Sequence, residues 1–179
     1  MIATSAPLGS SVGGDQGFGD IPAVGENREH IAGDKTTAIP STGGTFTFQG
    51  SGGADVGSFA STVTFANPII AWTNESVAST IDRSQDLTVT WTGGTPGSYV
   101  FIYGTSTATG TETTTAGYTC LTNADAGKFT VPFYILSALP AGGGGMGMQN
   151  QVQSPLSASG LDIGIAIGDI SFSVPATYK

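Results

Sequence analysis

Leu87-Thr88-Val89-Thr90-Trp91-Thr92-Gly93-Gly94-Thr95-Pro96-Gly97-Ser98-Tyr99-Val100-Phe101-Ile102-Tyr103 is the stretch on which the fold class turns. Leu87, Val89 and Trp91 alternate with Thr88, Thr90 and Thr92, so an extended chain puts the apolar set on one face and the hydroxyls on the other. A helix would scatter both sets around its axis. The stiff, branched Cβ of threonine suits a pleated surface. Sharing a face with Leu87 and Val89, Trp91 reads as a core residue. Gly93 to Gly97 supplies turn chemistry. Tyr99 to Tyr103 is apolar on both faces, which predicts a strand in the interior of its sheet.

The same logic extends in both directions. Upstream, Phe46 and Phe48 flank Thr47, while Phe59, Val63 and Phe65 are interleaved with small polar residues. Gly52-Gly53-Ala54-Asp55-Val56-Gly57 between them predicts a β-hairpin. Ile69, Ile70 and Trp72 form a short strand ending at Thr73-Asn74. Downstream, the polar run Thr105–Thr115 predicts an edge strand or exposed hairpin, and Tyr118-Thr119-Cys120-Leu121 returns to the core. Gly127 to Pro132 is a strand ended by proline, and Tyr134 to Leu139 reads as another. Ala141 to Gly147 holds four consecutive glycines and is expected to be a mobile loop. In the final segment Ile163, Ile165 and Ile167 alternate with Gly and Ala, then Ile170, Phe172 and Val174 with Ser, as in a long hairpin or bent strand.

Residues 1–43 follow neither period and read as a Gly/Pro-rich arm or linker. Residues 44–179 are expected to form one all-β domain, an immunoglobulin-like β-sandwich of about 8–10 strands.

Composition agrees with many short strands joined by turns. The 179 residues include 28 Gly, 25 Thr and 18 Ser, with only 10% charged. Thirteen acidic against five basic residues give a net charge of −8, which repels phosphate backbones and anionic headgroups. Nucleic acid is therefore excluded as a partner. No apolar run approaches the roughly 20 residues that a membrane-spanning helix needs. A surface carrying Thr, Ser and Asn in place of Lys and Glu points to an extracellular or cell-surface location. Met1-Ile2-Ala3-Thr4-Ser5 shows neither a basic nor an apolar leader region. Export would then need a signal upstream, with this chain a fragment or mature form.

His30 is the only histidine and lies in the arm beside Glu29, away from a core that could orient a catalytic pair. One His and one Cys cannot complete a zinc site. Calcium is the one cofactor left open, through Asp15 and Asp20 among glycines or through Asp82 and Asp86, whose simpler role is to stabilise a turn. Glu75 and Glu112 cannot be paired as glycosidase carboxylates from sequence. Cys120, alternating with Tyr118, reads as a small buried hydrophobe. Asn74-Glu75-Ser76 matches the N-glycosylation pattern.

As a set, Gly52 to Phe59, Leu87 to Gly94, Gly127 to Pro132, Leu139-Pro140 and Ser171 to Val174 resemble a carboxyl-terminal β domain of predicted exported proteins from soil bacteria, a family with no assigned activity. The resemblance covers roughly residues 44 to 179. It implies export and a terminal β domain, and it carries no catalytic residues. Leu87 to Gly94 is also similar to strands of fibronectin-type and yeast cell-wall sandwich domains.

Two functions follow as expectations. The first is a non-catalytic structural or assembly module at the cell surface, with other protein subunits or a surface polymer as partner, or a homo-oligomer built through the arm. The alternative is a carbohydrate-binding module that presents Trp72, Tyr99 and Tyr103 as exposed aromatics.

Overall fold

The computed structural model describes residues 39–179 and the backbone of Ile2–Ala3. Most of the expected arm, including Asp15, Asp20 and His30, lies outside the described residues. The described chain is all-β. It divides into two compact units, one comprising the described residues up to Asn67 together with Val152–Gly168, the other Pro68–Gln151 and Asp169–Lys179.

In the first unit, β1 (Ile2–Ala3), β2 (Gly44–Gly50) and β3 (Phe59–Phe65) form an antiparallel sheet in that order. The predicted hairpin is present, with Phe46 opposite Val63 and Phe48 opposite Ser61. Its alternation buries Phe46, Phe48, Val63 and Phe65. Phe46 and Phe65 meet edge to face with ring centroids 5.9 Å apart.

The second unit contains β4 (Ala71–Trp72), β5 (Thr80–Ile81), β6 (Leu87–Thr92), β7 (Tyr99–Ala108), β8 (Thr114–Asn123) and β9 (Lys128–Val131). Much of β10 (Gly142–Pro155) and β11 (Ile165–Tyr178) also belongs to it. Strands β4-β6-β9 form one sheet. Strands β5-β11-β10-β7-β8 form another, curled as a half-barrel. Both sheets feed one core: Trp72, Val89, Trp91 and Val131 from the first, Val100, Ile102, Met146, Met148 and Tyr178 from the second. Strand β7 lies inside its sheet, as predicted, but only one of its faces is fully buried, through Val100, Ile102, Gly104 and Ser106, while Tyr99 on the other face is 46% exposed.

Three segments differ from expectation. The glycine run expected as a loop is the start of β10, paired with β7 from Gly143 opposite Thr107 to Gln151 opposite Tyr99. A β-carbon at Gly142 or Gly144 would collide with the carbonyl oxygen of Thr107 or Thr105, and one at Gly147 with the Tyr103 ring. The glycines admit a close backbone approach.

Tyr134 to Leu139 is not a strand. Pro132 caps a single helical turn, α1 (Phe133–Leu136), whose first amide, Phe133 N–H, donates to Asp86 Oδ1 at 2.7 Å. Leu136 and Leu139 are buried at helical spacing, and Arg83 Nη1 donates to the Leu139 carbonyl at 2.6 Å.

Finally, β11 keeps one unbroken period of two. Ile165 and Ile167 are therefore exposed and Ala166 takes the buried position; Ile163, just before the strand, is exposed as well. Gly168 is on that inner side because a β-carbon there would press on Phe65 and Val63 at 2.9–3.1 Å.

Candidate functional site

The three residues expected to contact a ligand part company. Trp72 is 7% exposed and belongs to the core, opposite Trp91 in the β4–β6 pair. Its Nε1 donates to Asn74 Oδ1 at 3.1 Å. It offers no surface platform, because its short strand is paired through it. Asn74 is itself stitched to β6: Nδ2 donates to the Thr88 carbonyl and Oδ1 accepts from Thr90 N–H. Both ends of the amide in the Asn74-Glu75-Ser76 triplet are thus occupied. Trp91 Nε1 donates to the Ala124 carbonyl at 2.8 Å, so each indole has a partner for its one donor.

Tyr99 and Tyr103 do share a face, the outer one of β7, with Phe101 between them. Phe101 stands opposite Leu121 on β8 and Gln149 on β10, and Tyr99 opposite Asn123 and Gln151. Leu121 is 54% exposed, whereas Tyr103 is half-buried with its ring over Gly147.

Beside this face runs β8, the last strand of its sheet. It pairs with β7 from Thr114 opposite Ala108 to Asn123 opposite Tyr99, and no described strand pairs with its other edge. Its sequence, Thr-Thr-Ala-Gly-Tyr-Thr-Cys-Leu-Thr-Asn, contains neither charge nor proline. Natural edges are usually blunted by such residues or by being short. Acidic groups occur only beyond its ends, at Glu112 in the turn and at Asp125. Ala116, Tyr118 and Cys120 pack inward against the core; Thr115, Gly117, Thr119, Leu121 and Asn123 are exposed. Burial pushes the Cys120 thiol up, which suits a packed residue more than a nucleophile. Of the edge strand or exposed hairpin expected over Thr105–Thr115, the hairpin is present, but its first arm lies inside the sheet between β8 and β10 with Ser106 buried; the edge is β8, which runs on to Asn123. The signal was there in Gly117 and Thr119, small or polar residues alternating with Tyr118 and Cys120.

Asp82 and Asp86 have separate roles. Asp82 Oδ1 accepts from Ser84 N–H at 2.9 Å and Ser84 Oγ at 2.7 Å, the turn expected of it, and those bonds lower its carboxyl below the usual range. Asp86 accepts from Phe133 on α1. Among the described residues no three His, Cys, Asp or Glu side chains gather as a metal site would require, and no helix is long and apolar enough to cross a membrane.

Compared with known protein families, characterised proteins and solved structures, the chain matches none.

Proposed function

We propose that this chain is a non-catalytic structural module that works outside the cell or at its surface and joins other β-rich subunits by strand addition along β8. The observation that carries this reading is the uncharged, proline-free edge of Thr114–Asn123, unpaired on one side among the described residues. Such an edge offers a row of backbone donors and acceptors to an incoming strand. Low charge and a Thr- and Ser-rich surface support a role outside the cell. Two sheets sharing one core support an immunoglobulin-like sandwich for residues 68–151 and 169–179. With Trp72 and Trp91 buried, sugar binding would rest on Tyr99 and Tyr103 alone, and Tyr103 is half-covered.

The test is fluorescence anisotropy with a labelled decapeptide of alternating Thr and Val. Binding is expected to the wild-type chain and to be lost in a Thr119→Lys, Leu121→Lys double variant, whose two charges sit at exposed positions. Failure of the peptide to bind the wild type, or equal binding to both proteins, would sink the reading.

A further inference from the structure

We infer that the strand received by β8 is β8 of a second copy, antiparallel to it about a two-fold axis through Thr119. This rests on strand addition at the same edge and goes beyond it by naming the partner and the register. A two-fold axis normal to the sheet keeps the inward side chains of both copies on one side. Directly opposite residues of an antiparallel pair must share a face, so the axis has to pass through a residue and not between two.

The side chains choose which residue. An axis through Tyr118 would set two half-buried phenols against each other, and one through Cys120 would shorten the overlap. An axis through Thr119 keeps Thr115–Asn123 in register. It places Tyr118 opposite Cys120, Gly117 opposite Leu121 and Ala116 opposite Thr122, each larger side chain facing a smaller one. It also puts Thr119 opposite itself. The chain already uses that arrangement within its own sheets: Thr45 faces Thr64, Thr88 faces Thr130 and Thr107 faces Thr115. The paired hydroxyls lie 3.1, 2.9 and 2.9 Å apart. Cross-strand threonine pairs of this kind favour a register.

Charge sets the strength. Each copy carries a net charge of −8, while the body of the joint is neutral and Glu112 and Asp125 lie just beyond the ends of β8. Pairing is therefore opposed at low ionic strength and favoured as salt screens the charge.

The experiment is disulfide trapping in the full chain carrying Cys120→Ser. Directly opposite residues of an antiparallel pair have Cα atoms about 4.5–5.5 Å apart, a distance that a disulfide spans. Thr119→Cys should cross-link to its own copy at least tenfold faster than Thr115→Cys, which faces Asn123 in this register. Raising NaCl from about 0.05 to about 0.5 M should speed the Thr119→Cys reaction. Glu112→Lys, which lowers the negative charge beside the joint, should speed it at low salt. Both cysteines replace exposed threonines, and circular dichroism of each variant establishes that the fold is kept. Equal rates for Thr119→Cys and Thr115→Cys overturn the two-fold pairing. If the Thr-Val decapeptide still binds in that case, strand addition stands and only its partner is wrong; if it does not, both readings fall.

Discussion

A β-carbon at Gly144 would meet the Thr105 carbonyl oxygen, whereas one at Gly143, the next residue, would meet nothing within 4 Å. The two positions should therefore answer substitution with opposite signs. Gly144→Ala forces β7 and β10 apart and is expected to cost about 1–3 kcal/mol. Gly143→Ala restricts the unfolded chain and is expected to be neutral or to gain up to about 1 kcal/mol. Urea midpoints of the two variants check this. A second residue-scale prediction concerns Tyr118. Burial first, and then the Tyr178 phenol beside it, push its pKa far above the ordinary phenol range, and burial raises Tyr178 too. A raised folded-state pKa means that the native protein keeps a proton which the unfolded chain releases. The associated stability is complete below about pH 10 and is lost as pH climbs above it. Unfolding free energies should be level between pH 7 and pH 9 and fall by pH 11, less steeply in Tyr118→Phe.

At the scale of elements, α1 depends on a distant residue. Its first amide is satisfied by Asp86, which precedes β6, so Asp86→Ala should cost about 1 kcal/mol and Asp86→Asn, which keeps an acceptor, less. Thermal melts of the two variants distinguish this from a loss of charge. Because that contact comes from 47 residues away, nothing local separates α1 from the strand that the sequence predicts over 134–139. Four residues are too few to display a helical period, and their apolar content is equally strand-like. Elements with clear alternation were legible: β2, β3, β6, β7 and β9 all lie where Phe46, Val63, Val89, Val100 and Phe129 indicate. In β11 the apolar residues step by three between Ile167 and Ile170, so the pattern changes phase while the backbone does not. The exposure of Ile165 and Ile167 is the result.

For the whole molecule, the main core cluster draws only on the unit made of residues 68–151 and 169–179, and both tryptophans lie in it. Tryptophan fluorescence thus reports on that unit, while far-ultraviolet circular dichroism reports on both. The dichroism is expected to start falling at lower urea than the fluorescence; coincident curves would mean that the units unfold as one. The sequence alone determined an all-β chain, because alternation is local and each strand carries its own period. It also marked the hairpin around Thr105–Thr115, but not that its first arm lies inside the sheet with Ser106 buried. The fate of the glycine run and of Trp72, and the flank of β8 left unpaired among the described residues, were decided only by tertiary structure. Nothing in Gly142 to Gly145 separates a loop from a strand until the Thr105 and Thr107 carbonyls occupy the space where β-carbons would be. Whether a strand has one neighbour or two is likewise a property of the sheet order, which no short stretch of residues contains.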